Sequence, residues 1–237
     1  MTASTGSRAS RRPGLVARLV RWIVVAIVLA LLILVGLLLL YRFVPVPSTL
    51  MIGRWLTLQP VERRWVPLSA IAPALPRAVV AAEDQRFCSH GGVDWDELNK
   101  VLQDEDGPSR GASTITMQTA KNVFLWPGRS YVRKALEIPL AMAIDIAWPK
   151  ARIMEVYLNV AEWGDGLYGA EAASRRYFNI PAAELTPAQA SRLAAALPNP
   201  LVRNVARPGR ALTGASRRIQ TRMNQIGATG DCAIAAR

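Results

Sequence analysis

Hydrophobic positions divide the chain into one unbroken apolar run and a longer region where they recur at helical spacing. The run is Trp22–Tyr41, "WIVVAIVLALLILVGLLLLY", twenty residues without a charge. At about 1.5 Å rise per residue it would span roughly 30 Å, the hydrocarbon thickness of a bilayer. A buried core helix would show a polar face, and this stretch has none. A cleaved signal peptide is the closer rival, but its apolar region usually holds only about 7–15 residues. The following "YRFVPVPST" also lacks a small-x-small cleavage site. The pattern predicts a retained transmembrane anchor.

Beyond it the pattern is helical. "LPRAVVAAEDQRF" predicts a helix with Pro76 in its opening turn, stopped by Gly91-Gly92. "STITMQTAKNVFL" predicts a helix N-capped by Ser113. In "SYVRKALEIPLAMAIDIAW" Pro139 should kink the helix or open its hydrogen-bond ladder. In "KARIMEVYLNVAEW", Ile153, Val156, Tyr157 and Val160 follow the i, i+3, i+4, i+7 rule, which suits a scaffold helix with Glu155, Asn159 and Glu162 as polar clasps. Helices follow around "GAEAASRRYF" and "TPAQASRLAAAL", the last capped by Thr186 with Pro187 in its first turn. Strand-like alternation is scarce and no repeat is visible. The expected class is mainly α, with a basic tail (1–21), an anchor (22–41), a linker or membrane-proximal segment (42–65), a main domain (66–205) and a basic, loop-rich C-terminal tail (206–237).

Charge fixes the expected topology. Arg8, Arg11, Arg12, Arg18 and Arg21 precede the span with no acidic residue among them, so the N-terminus should stay cytoplasmic and the rest lie outside, in a bacterial periplasm. The net charge is +12; those five arginines set aside, the remainder still carries +7, which suits an anionic partner such as a lipid-linked phosphate. Nucleic acid does not fit that location. Seven tryptophans favour contact with lipid or sugar, although most are expected in the core. Cys88 and Cys232 are expected as free thiols, because two cysteines make no framework. One histidine and two distant cysteines cannot build a zinc site.

Four stretches could carry chemistry. Glu83 and Asp84 end a helix beside Val79, Val80 and Ala82, where partial desolvation would raise a carboxyl pKa and suit proton transfer; two solvated helix residues would look the same. In "GASTITMQTAKN", a capped helix start forms an anion site, and Thr114, Gln118, Lys121 and Asn122 share one polar stripe. In "RKALE", Arg133 and Lys134 share a face with Glu137, either as ordinary ion pairs or as cations for a leaving group. "KARIMEVYLNVAEWG" supplies the scaffold.

In order, "ED..F..H.G" (Glu83, Asp84, Phe87, His90, Gly92), "G.STIT.Q..KN" (Gly111 to Asn122), "RK..E" (Arg133 to Glu137), "K..I.E.YLN...WG" (Lys150 to Gly164) and "YGAEAASRRYF" (Tyr168 to Phe178) resemble the motifs of glycosyltransferase family 51, the peptidoglycan glycosyltransferases. The resemblance runs from about Ala78 to Pro200. No Ser-x-x-Lys or Lys-Thr-Gly of a transpeptidase occurs, so the stand-alone type is expected. The resemblance implies a lysozyme-like helical fold with a small membrane-proximal jaw at about Val93 to Arg110, acidic in "QDEDG".

It also implies an activity, the polymerisation of lipid II into glycan strands with release of undecaprenyl diphosphate. Glu83 matches the base and Glu137 the glutamate that assists departure of the diphosphate, at least as far apart as the roughly 6.5–9.5 Å of inverting glycosidases. Ser113, Thr114, Gln118, Lys121, Asn122, Arg133 and Lys134 match donor and diphosphate positions, while Asp84, Phe87, His90 and Gly92 match supporting ones. Met117 departs from the glutamine expected there. No cofactor is firmly implied, although a divalent cation, Mg2+ or Mn2+, could sit at the diphosphate. Implied partners are lipid II, the nascent glycan, the bilayer, and divisome or elongation proteins. The rival readings are a membrane-anchored lysozyme-like murein hydrolase and a non-catalytic scaffold that binds peptidoglycan or lipid II.

Overall fold

A computed structural model of the chain describes residues 14–103, 112–128, 130–226 and 231–234. The first part of the basic tail, the acidic stretch of the jaw from Asp104 and the motif glycine Gly111 lie outside the described residues.

The chain divides into two units after Tyr41. The first holds helix α1 (Leu15–Tyr41), long and apolar enough to cross a membrane. It starts seven residues ahead of the charge-free run, because "LVARLVR" continues the helical geometry.

The second unit begins with the segment read as a linker, which is docked rather than strung out. Val46, Ser48 and Met51 are fully buried. Arg63 donates to the Val46 carbonyl at 2.5 Å and Arg152 to the Val44 carbonyl. Helix α2 (Thr49–Leu56) is capped by Ser48, and the Thr49 hydroxyl donates to the Leu125 carbonyl at 2.6 Å.

A small sheet follows from β1 (Glu62–Arg63) and a later hairpin, β2 (Glu162–Gly164) and β3 (Leu167–Tyr168), in the order β1-β3-β2. β1 runs parallel to β3 with Glu62 opposite Leu167, and β2 runs antiparallel to β3. The rest is helical: α3 (Ala74–Glu83), α4 (Trp95–Leu102), α5 (Ile115–Phe124), α6 (Tyr131–Ala147), α7 (Lys150–Val160), α8 (Ala170–Phe178), α9 (Pro187–Ala196) and α10 (Arg210–Ile226). α3 packs on α9 and α10, and α5 packs on α6 and α7. Leu75, Val79, Ile115, Ile153, Met154 and Leu193 are fully buried between them. Glu155 accepts from the Leu68 N–H, Asn159 holds both backbone groups of Val66, and Glu162 accepts from Gly166, so all three expected clasps are made.

Several boundaries differ from the sequence expectation. α3 ends at Glu83 rather than running through Phe87, because Asp84 leaves helical geometry. The C-terminal region expected to be loop-rich contains α10, a 17-residue helix whose Leu212 and Ile219 are buried. Cys88 and Cys232 are not free thiols: they form a disulfide across 144 residues. Of the tryptophans, only Trp148 and Trp163 are fully buried, while Trp22, Trp55, Trp95 and Trp126 are exposed.

Candidate active site

α3 delivers Glu83 to the rim of a cleft of about 590 Å3 lined also by Asp84, Ser113, Gln118, Asp94 and Arg222. Its last turns carry Val79, Val80 and Ala81 into the core, so the glutamate that ends the helix emerges from an apolar wall. Burial raises the Glu83 pKa above the ordinary carboxyl value, opposed by a hydrogen bond from Gln118 and by the nearby charges of Arg203 and Lys121. The Gln118 amide donates to Glu83 Oε2 at 2.9 Å, leaving Oε1 without a partner among the described residues.

Asp84 turns the other way. Its two oxygens meet His90 Nε2 at 2.9 and 3.0 Å, and Oδ2 also accepts from the Ile115 N–H at 3.0 Å. The loop between them is fastened further: Lys150 Nζ donates to the His90 carbonyl at 2.7 Å and to Asp145 at 2.6 Å, and stands 4.8 Å from the Phe87 ring centroid. Phe87 is fully buried and meets His90 edge-on. Gly92 has φ +84, and a Cβ there would lie 2.5 Å from the Ala141 carbonyl oxygen, so the loop closes against α6 only with glycine.

The start of α5 departs from expectation. Thr114, not Ser113, is the N-cap, and its hydroxyl donates to the Gly92 carbonyl at 2.6 Å while accepting from the Met117 N–H at 3.1 Å. Thr114 is buried, and the anion held at this helix start is the protein's own Asp84. Ser113 is thereby freed to accept from Lys134 Nζ at 2.5 Å. Met117, the departure from motif, is fully buried against Val93 and Ala141.

On α6, Arg133 and Lys134 both pair with Glu137, Lys134 at 2.8 Å. Glu137 and Arg133 are buried, so this carboxylate meets a ligand only through its cations. Lys121 has no hydrogen bond or ion pair to a described residue, and it feels both Glu137 and Glu83; burial lowers its pKa. It therefore stands between the two glutamates as a cation not committed to either. Asn122 is half-buried beside it, with no side-chain partner among the described residues. Those residues contain no group of three or more His, Cys, Asp or Glu side chains that could hold a metal ion.

The structure thus brings Glu83, Gln118, Lys121, Glu137, Lys134 and Ser113 to one region and turns Asp84, Phe87, His90, Gly92 and Thr114 inward as its frame. Sequence reasoning missed Tyr157, Arg203 and Arg222. Tyr157 sits on the apolar stripe of α7 and reads there as core, yet its hydroxyl donates to Gln118 at 3.2 Å. Arg222 lies in the stretch read as a basic C-terminal tail, and Arg203 lies at the end of the main domain outside every motif.

A mainly helical domain with a desolvated glutamate and a separate glutamate-anchored cation cluster fits a glycosyl-transferring class of protein. A family model described as Transglycosylase matches residues 51–226, which include every candidate site residue. Proteins named biosynthetic peptidoglycan transglycosylase are similar over most of the chain. The one from Rhizobium meliloti is 47% identical over 233 residues, 98% of this chain and 96% of the relative. That from Brucella suis is 54% identical over 202 residues (84% and 90%), and that from Agrobacterium fabrum 52% over 194 (81% and 86%). The chain belongs to the transglycosylase family.

Proposed function

We propose that this chain polymerises lipid II into peptidoglycan glycan strands by inverting glycosyl transfer. The observation that carries it is the pairing of a desolvated Glu83, one oxygen free, with a separate cation cluster built on Glu137. The free oxygen of Glu83 takes the proton of the 4-hydroxyl of lipid II's N-acetylglucosamine. The hydroxyl oxygen then attacks the anomeric carbon of the growing chain's terminal N-acetylmuramic acid. The C–O bond to the diphosphate breaks from the opposite face, its electron pair leaves with undecaprenyl diphosphate, and a β-1,4 bond results.

Charge develops on the leaving diphosphate, and fixed cations lower that barrier more than mobile ones. Lys134 and Arg133, oriented by Glu137, and the uncommitted Lys121 are placed for that work. A murein hydrolase, whose substrate has no diphosphate, would have no use for them, and a scaffold would have no use for a desolvated base. The span in α1 supports a single-pass anchor with the N-terminus cytoplasmic and the second unit periplasmic. A disulfide in that unit supports an oxidising compartment.

The test is to incubate the detergent-solubilised protein with labelled lipid II. Long glycan chains digestible by lysozyme are expected from the wild type, and none from Glu83→Gln, which keeps lipid II binding. Substantial polymerisation by that variant would remove Glu83 from the role of base.

A further inference from the structure

The sequence stripe places Gln118 among residues that bind the donor, but its amide is already spoken for on both sides. Nε2 donates to Glu83 Oε2 at 2.9 Å, and Oε1 accepts from the Tyr157 hydroxyl at 3.2 Å. Tyr157 is 1% exposed, and its hydroxyl donates to no other described residue. Gln118 comes from α5 and Tyr157 from α7, so two packed helices converge on the glutamate that ends α3.

An amide can present either its N–H or its carbonyl to a neighbour, and the two ends have similar shapes. Rotating Gln118 by half a turn would set its carbonyl against the carboxylate and its NH2 against the tyrosine oxygen. The tyrosine proton would then have nothing to bond, which is costly for a buried donor. The hydroxyl therefore selects one orientation of the amide.

We infer that Tyr157 and Gln118 form an orientation lock for the base: Tyr157 fixes the amide so that its N–H, never its carbonyl, faces Glu83, which holds the carboxylate ionised and leaves its other oxygen aimed at the acceptor hydroxyl. Both are positioning residues, acting through Glu83. The inference rests on Glu83 being the proton acceptor. Without the tyrosine hydroxyl the amide can turn, and its carbonyl then favours protonated Glu83, which donates to it. The base is thereby lost at low pH. The charged groups that act on Glu83 are Asp84 beside it, Lys121 on α5 and Arg203 after α9, and Arg86, Asp94, Glu97 and Arg222 also line its cleft. None of them is altered by removing the hydroxyl, so a shift reports the amide.

The experiment measures kcat/KM for lipid II polymerisation against pH, from about 5 to 9, for the full-length wild type, Tyr157→Phe and Gln118→Leu. The acidic limb reports the base in the free enzyme. Its expected displacement in both variants is about one pH unit upward, a tenfold loss below the limb, with the deficit shrinking at alkaline pH. A purely structural role would lower the rate equally at every pH, and an unmoved limb in both variants overturns the lock. If Tyr157→Phe does not accumulate folded, Gln118→Leu decides alone, since it removes the donor outright. Glu83→Gln run alongside separates the two failures. If it polymerises, the premise is wrong and the lock falls with it. If it is inactive while both limbs stay in place, only the lock is wrong.

Discussion

Glu83 combines exposure to a cleft with burial of most of its carboxyl, and burial sets a pH rule for both activity and stability. As the proposed base, Glu83 works only when ionised, so polymerisation should rise with pH through a value above the ordinary 4.5 of a glutamate. Because the folded protein holds this proton more tightly than the unfolded chain, raising the pH through that window costs stability. A neutral amide at the same position would not bear that cost. Glu83→Gln should therefore be inactive yet melt at a higher temperature than the wild type at pH 7–8, with the gain shrinking near pH 4, where the wild-type group is protonated in both states. Thermal unfolding followed by circular dichroism at the two pH values checks this; no gain at neutral pH would show that the carboxylate is adequately solvated. The desolvation itself was legible in the sequence, since Val79 and Val80 lie one turn before Glu83. Gln118, 35 residues on, was legible as a donor-site residue but not as a partner of Glu83, and Tyr157 was disguised by the apolar stripe of α7: a side-chain bond between three helices leaves no local pattern.

At the scale of elements, the sequence pattern located every helix that carries a motif, while helix ends moved by up to four residues. The shift from Ser113 to Thr114 as N-cap matters most. It gives Ser113 to Lys134 and binds α5 to Asp84 in place of an external anion. Two adjacent hydroxyls compete for the same capping role, and the choice is made by the Gly92 carbonyl that Thr114 also reaches. α10 was hidden for another reason. Its many arginines resemble a solvated tail, and its buried face is narrow, with Leu212 and Ile219 seven residues apart and Ser216 between them, whose hydroxyl meets Ser191 of α9 at 2.9 Å. That face covers α3, the helix that ends in Glu83. Leu212→Ala and Ile219→Ala should each cost about 2–4 kcal/mol, by lost burial and the cavity left behind. Urea unfolding checks the figure. A midpoint unchanged in both variants would show α10 to be dispensable to the domain.

Across the whole molecule, one bond links the loop that follows Glu83 to the far end of the chain. Cys88 lies between Asp84 and His90, Cys232 lies beyond α10, and Arg77 on α3 pairs with neighbouring Asp231 at 3.0 Å. Sequence separation is silent on such a pairing, because only the fold brings position 232 beside position 88. The cross-link removes conformational freedom from an unfolded chain closed over 144 residues, a loop long enough for a contribution of about 2–5 kcal/mol. Its effect on the loop after Glu83 should be smaller. His90 is bonded to Asp84, its carbonyl to Lys150, and Gly92 is seated against Ala141 without help from either cysteine. Cys88→Ser should therefore lower the melting temperature substantially while polymerisation at 25 °C persists in the folded fraction. Dithiothreitol should lower the wild-type melting temperature to that of Cys88→Ser and leave the variant where it is. A wild type indifferent to reductant, with thiols that alkylate before reduction, would mean that the pair does not form. A variant that folds fully but cannot polymerise would instead make the bond part of the site, with the strap from the C-terminus, rather than the Lys150 and Asp84 clasps, holding the loop in place.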